Sequence, residues 1–174
     1  MKLLLVAYPK LSADDLLRIE NYRKDYDKQF EIIRPHFTFI FPVTDIAIEE
    51  FTLEVKKHLH KINPIQFCLR HSILIKDYFS DYYYTFLVPD EGFIEMIKLH
   101  DKLYSERLFA HQMHDIDFIP HITAASFKDH QACKKSVDEW NSKSLTIKGT
   151  IDSFDIVSYE NEKVTNLEKF FLIE

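Results

Sequence analysis

The pattern Pro-His-x-Thr occurs twice, as Pro35-His36-Phe37-Thr38 and as Pro120-His121-Ile122-Thr123, 85 positions apart. Nine His, six Pro and eight Thr in 174 residues would yield about 0.014 such matches by chance, so the pair is a repeat. Each copy sits in a strand-like stretch, 31–41 for the first and roughly 117–127 for the second. Side chains alternate between the two faces of a strand, which puts each His and the Thr two residues on the same face, roughly 6.6 Å apart. Ile33, Pro35, Phe37, Phe39 and Phe41 take the opposite face of the first stretch, and Phe118, Pro120, Ile122 and Ala124 that of the second. Each stretch thus has a greasy side for a core and a polar working side for a cleft. The chain must fold so that two such strands floor one cleft.

The residue types suit phosphate chemistry. Imidazole has an ordinary pKa of about 6.5, so it accepts or donates a proton near neutral pH. Two imidazoles on opposite sides of a phosphorus permit in-line displacement, one as general base and one as general acid. A Thr hydroxyl beside each ring can donate to a non-bridging oxygen, where charge builds up during displacement. His36 and His121 are therefore the candidate catalytic pair, and Thr38 and Thr123 the candidate phosphate contacts. Their pairing predicts a bell-shaped rate profile near neutral pH. The sequence does not assign acid and base between the two His. Arg34 shares the His36 face but reads more simply as a solvent-facing residue before the strand, and the Tyr82-Tyr83-Tyr84 run reads as strand-stabilising rather than as a stacking surface.

Composition removes other chemistries. Gly92 and Gly149 are the only glycines, too few for a Gly-rich phosphate loop. The net charge of −6 lacks the basic footprint of a long-duplex binder. Cys68 and Cys133 stand far apart in no metal-like spacing and read as reduced core thiols. The run Lys2–Tyr8 is apolar but too short for a signal peptide or a membrane span, and reads as a buried strand. A cytoplasmic location, no membrane partner, no cofactor, no metal and a monomeric state are the corresponding expectations. His111 and His114, with Asp115 and Asp117 nearby, form no zinc-type motif and read as loop residues; His58 and His60 read as the end of a surface helix.

Along the chain, Ser12 caps a first helix, with Asp15 as its capping-box partner and Leu16, Ile19, Tyr22, Tyr26 and Phe30 as its stripe. Asp45 opens a second helix bearing Phe51, Val55 and Leu59. Strands follow over 65–75 and 82–88, joined by a turn at 76–81. Asp90 caps a third helix, 109–116 is irregular, and Asp129 starts a fourth helix that ends near Trp140. Strands around 144–151, 153–159 and 168–173 close the chain. The order lacks strict β-α alternation, which predicts α+β with largely antiparallel sheets.

Paired His-x-Thr motifs about half a chain apart, His36-Phe37-Thr38-Phe39 and His121-Ile122-Thr123-Ala124, resemble those of the 2H phosphoesterases. That superfamily includes the bacterial 2′-5′ RNA ligase-like proteins and the cyclic nucleotide phosphodiesterases. The resemblance covers nearly the whole chain. It implies a single bilobal domain over 1–174, with two mainly antiparallel sheets related by a pseudo-two-fold around a central cleft and helices on the outer faces. It implies metal-independent cleavage of a 2′,3′-cyclic phosphate or a related small nucleotide or RNA-end phosphodiester, with His36 and His121 as acid and base. Non-catalytic binding of a nucleotide or RNA end in the same cleft, 2′-5′ ligase-like activity, and a metallohydrolase built on His111 and His114 remain as alternatives.

Overall fold

The computed structural model describes residues 1–172. The β-branched and aromatic runs condense into two antiparallel sheets. One contains β1 (Lys2–Ala7), β3 (Phe37–Val43), β8 (Ser153–Glu160) and β9 (Lys163–Phe171), in the order β3-β1-β8-β9. The other contains β2 (Lys10–Leu11), β4 (Ile65–Lys76), β5 (Tyr83–Glu91), β6 (Ile122–Phe127) and β7 (Ile147–Ile151), in the order β2-β7-β4-β5-β6. Four helices join them: α1 (Ala13–Tyr26), α2 (Ile48–Leu59), α3 (Phe93–Leu103) and α4 (His130–Ser142). The fold is α+β with two antiparallel sheets, as expected. The last strand begins earlier than expected; Ile173, placed in it by the sequence, lies outside the described residues.

Local chemistry sets the helix starts. Ser12 accepts from the Asp15 amide at 3.1 Å and donates to its carboxylate at 2.7 Å, a reciprocal N-terminal cap for α1. Asp129 accepts from the Gln131 amide and caps α4. The other two starts differ from expectation. Asp90 stays in β5, where Arg70 holds it at 2.5 Å, and α3 instead follows Gly92 at φ 81°. A Cβ at Gly92 would lie 2.4 Å from the Gln66 carbonyl oxygen, so only glycine fits that turn. Asp45 occupies a turn at φ 62°, and α2 begins three residues later without a side-chain cap.

Apolar faces of both sheets supply the core. Phe37 of β3 meets Phe67 of β4 edge-on at 5.0 Å, and Phe39 meets Phe154 of β8 at 4.9 Å. The helix α1 contributes less than its pattern suggests: Ile19 and Arg23 are buried, while Leu16 and Leu17 remain exposed. Both cysteines are free and buried. Cys133 lies beside Thr85, whose hydroxyl donates to Ser136 of α4 at 2.8 Å and so ties that helix to the back of β5.

The strands carrying the repeated motif occupy equivalent places. β3 is an edge strand of the first sheet and β6 an edge strand of the second. Each pairs antiparallel with one neighbour, β1 and β5 respectively. Each also bulges at the residue after its Thr. Val6 pairs with Thr38 and Leu5 with Ile40, leaving Phe39 extra; Phe86 pairs with Thr123 and Thr85 with Ala125, leaving Ala124 extra.

An unpaired strand edge needs partners for its polar groups. On β3 they come from α3. His100 Nδ1 donates to the Phe39 carbonyl at 3.0 Å, and the Phe41 amide donates to the Tyr104 hydroxyl at 2.8 Å. Tyr104→Phe would leave that amide without its acceptor and should cost about 1–2 kcal/mol. Urea denaturation checks this: a lower midpoint at constant slope is expected, and an unchanged midpoint would show that the bond carries nothing.

Candidate active site

Each motif begins with proline, which has no N–H to give a ladder. Strand pairing therefore starts only at Phe37 and Ile122. His36 and His121 each sit one residue before their strand, a correction to the strands expected over 31–41 and 117–127. Alternation nevertheless runs through the motif. Pro35, Phe37 and Phe39 are buried while His36 and Thr38 are partly open, and the same sequence of burial holds from Pro120 to Ala124. Beyond the bulge it fails, since Ala124 and Ala125 are both buried.

A short contact orients each imidazole. His36 Nδ1 lies 2.9 Å from the Arg34 carbonyl oxygen, and His121 Nδ1 lies 2.6 Å from the Ile119 carbonyl oxygen. A carbonyl only accepts, so Nδ1 carries the proton in both neutral rings. The lone pair is left on Nε2, where no protein hydrogen bond among the described residues engages it. The same holds for the Thr38 and Thr123 hydroxyls.

Electrostatics couples the rings. Burial disfavours the charged form and lowers the pKa of each to about 4, against the pull of its carbonyl, which favours protonation. Arg23 lowers His36 further while its ion-pair partner Asp27 opposes this, and a proton on His36 disfavours one on His121. The two rings therefore sense each other although 85 positions separate them in sequence.

Neighbouring side chains hold this geometry. His121 stacks on Phe86 of β5, with centroids 3.4 Å apart and planes 9° apart, and Tyr84 continues the stack at 5.8 Å. Tyr8 meets His36 edge-on at 6.3 Å, and the Arg34 guanidinium lies 4.0 Å over the Tyr8 ring. The exposed Arg34 side chain is thus parked on an aromatic face, while its backbone orients His36. Phe118 stacks on His100 at 3.7 Å, linking the approach to His121 to the helix that seals β3.

Sequence reasoning overlooked Arg23. It is 1% exposed, bonded to Asp27 at 2.9 Å and to Glu20 at 3.2 Å. It donates to the Ile33 carbonyl at 2.5 Å and so pins the segment that delivers His36. A helical arginine normally reads as solvated; the signal available was the pair of acids at i−3 and i+4. His58, expected at a surface, is buried beside Glu54 at 3.7 Å. His111 and His114 join no metal-sized cluster with Asp115 and Asp117 among the described residues. The one such grouping found there is Cys68, Asp90 and Glu91, whose two carboxylates are already ion-paired with Arg70.

Comparison with known proteins agrees with this architecture. The family model described as the 2′-5′ RNA ligase superfamily matches residues 9–163. A Bacillus pumilus protein named "Putative phosphoesterase" is 25% identical over 182 residues, spanning 100% of this chain and 99% of its own. The crystal structure of TT0787 from Thermus thermophilus superposes with a TM-score of 0.62 at 16% identity, covering 99% of this chain and 98% of that one. Apo LigT from Escherichia coli gives 0.58 at 16% identity with the same coverage, and LigT has also been crystallised with 3′-AMP, ATP and NADP+. No helix of the described residues is long and apolar enough to cross a membrane.

The depressed histidine pKa values have a consequence for stability. The unfolded chain, with ordinary imidazoles near 6.5, binds more protons than the folded one between about pH 6.5 and about pH 4. Stability should be level above pH 6.5 and fall as pH drops through that window, by about 3 kcal/mol per ring. His121→Asn should flatten part of the fall in a thermal-melt series; an identical acid limb in the variant would contradict the assignment.

Proposed function

The chain belongs to the 2′-5′ RNA ligase superfamily, and from that premise we propose that it is a metal-independent phosphodiesterase acting on a 2′,3′-cyclic phosphate or a related small nucleotide or RNA-end phosphodiester. The observation that carries the proposal is the matched pair of imidazoles. Each has its Nδ1 proton tied to the carbonyl two residues back, its Nε2 lone pair unengaged, and a Thr hydroxyl two residues on.

The reaction follows from those groups. One Nε2 removes a proton from water as the water oxygen attacks phosphorus. The bond from phosphorus to the leaving ribose oxygen breaks on the opposite side. The other ring, protonated at Nε2, delivers its proton to that oxygen. Thr38 and Thr123 donate to the non-bridging oxygens, whose charge rises in the transition state. Solvent exchange then returns the base proton and recharges the acid.

Such a site needs one ring charged and one neutral, whereas burial keeps both neutral at pH 7 when no anion is bound. A phosphodiester brings the negative charge that restores one proton. Binding should therefore take up a proton, and affinity should weaken as pH rises. The acidic pKa values of about 4 belong to the free protein, which governs kcat/KM, whereas kcat reports the complex. The maximum of kcat/KM should lie on the acid side of the maximum of kcat. Coincident maxima would count against the pair.

A panel of 2′,3′-cyclic nucleotides assayed in chelator is the direct trial. His36→Ala and His121→Ala should each lower kcat about 10²–10⁴-fold, and Thr38→Val or Thr123→Val about 10²-fold. Turnover that survives both His substitutions would remove the proposal. Tight binding without product would favour a non-catalytic binding module in its place.

A further inference from the structure

The two motifs match in His and Thr but not in the residue before proline. Arg34 precedes Pro35-His36, whereas Ile119 precedes Pro120-His121. Each supplies the carbonyl that orients its imidazole, so that backbone role does not require an arginine. The Arg34 side chain is left for another task. Burial alternates from Arg34 to Phe39, so Arg34 leaves the chain on the same side as His36, with buried Pro35 turned the other way. Its guanidinium carbon lies 4.0 Å over the centre of the Tyr8 ring, and Tyr8 meets His36 edge-on. Strand register puts Tyr8 there. Val6 pairs with Thr38 and Ala7 with Phe37, so the next residue falls beside His36.

The cleft lacks a permanent charge of its own. Burial keeps both imidazoles neutral at pH 7, and an anion that leaves water for a neutral site loses its hydration unless a cation meets it. Arg23 is sealed in the interior and committed to Asp27, Glu20 and the Ile33 carbonyl. Lys169 is held by Asp155, whose charge Tyr8 feels. Arg70 and Arg107 are bound by carboxylates, and Arg18 lines a groove with Tyr22 and Trp140. Arg34 remains. Glu20, the carboxylate that feels its charge, is itself bonded to Arg23. An exposed cation–π contact is weak. The guanidinium can therefore leave Tyr8 for a phosphate, to which its planar fork donates two parallel hydrogen bonds.

We propose that Arg34 is a phosphate-binding residue of this site, stored on the Tyr8 ring in the free protein and transferred to a non-bridging oxygen when a phosphodiester enters between His36 and His121. Tyr8 is then a positioning residue that keeps the guanidinium beside the cleft and away from carboxylates. The site is asymmetric in consequence, with fixed positive charge delivered from the His36 side alone. Affinity that survives at a pH where neither imidazole takes a proton comes from Arg34. This deepens the proposed function and rests on it for where the phosphate sits.

Isothermal titration calorimetry with adenosine 3′-phosphate reads this charge without turnover. Arg34→Met keeps the carbonyl that orients His36 and an apolar chain over Tyr8, but removes the cation. It should weaken binding by about tenfold or more at pH 7 and at pH 8.5, and Arg34→Lys should recover part of the loss. Chemical labelling adds a direct readout. Inorganic phosphate should slow the reaction of Arg34 with phenylglyoxal, followed by mass spectrometry, and leave that of Arg18 unchanged. Thermal melts of the variants should match wild type, because the Arg34 side chain is exposed. A smaller loss of affinity in Arg34→Met, or Arg34 labelled at one rate with and without phosphate, overturns the assignment. Absence of cyclic-phosphate turnover with Arg34-dependent binding intact would instead strike at the proposed reaction and leave the role of Arg34 standing.

Discussion

The interaction on which the site depends is the hydrogen bond from each imidazole to the carbonyl two residues before it. It fixes the tautomer, sets the ring plane and leaves one basic nitrogen unengaged. Proline makes the bond available by delaying the strand. Without an N–H at Pro35 and Pro120, the ladder begins only after the His, and the preceding carbonyl is free to turn toward the ring. Arg23 holds the same segment from beneath through the Ile33 carbonyl, so a buried charge in α1 helps to position His36.

Doubling this unit gives the fold its logic. Two edge strands carry the two motifs, and each bulges immediately after its Thr. Bulges increase local twist and re-aim side chains, which suits strands that must present residues at the rim of a sheet. The edges are managed locally. On β3, His100 and Tyr104 of α3 take up the exposed backbone groups. On β6, Ser126 binds the Lys28 amide and draws the end of α1 against the strand.

The repeat, the α+β class and most element positions were legible, because a period of two and a repeated motif survive in the sequence without an alignment; the roles proposed for His36, Thr38, His121 and Thr123 rest on the chemistry of those side chains. Ser12 and Asp129 were readable as caps because their side chains act within three residues. Asp90 was misread because a distant arginine, Arg70, competes for it. The bulges at Phe39 and Ala124 left no mark, since an extra residue in a strand looks like any other residue until its partner is known. Arg23, His58 and His100 were missed for a related reason: each is a polar side chain buried by tertiary contacts, on helices whose local pattern reads as surface. The tyrosine run was legible as strand, but that Tyr82 falls before β5 and that Tyr83 turns toward His130 of α4 required the structure.

The central claim is that His36 and His121 are two neutral, Nδ1-protonated imidazoles that respond jointly to one anion. Long-range nitrogen–proton NMR of the two side chains, titrated with and without a nucleoside 3′-phosphate, addresses it most directly. The account predicts Nδ1–H tautomers in both rings, protonation well below pH 6 in the free protein, and an upward shift of one titration when the phosphate binds. Nε2–H tautomers, or two independent titrations near 6.5 that ignore the ligand, would contradict it.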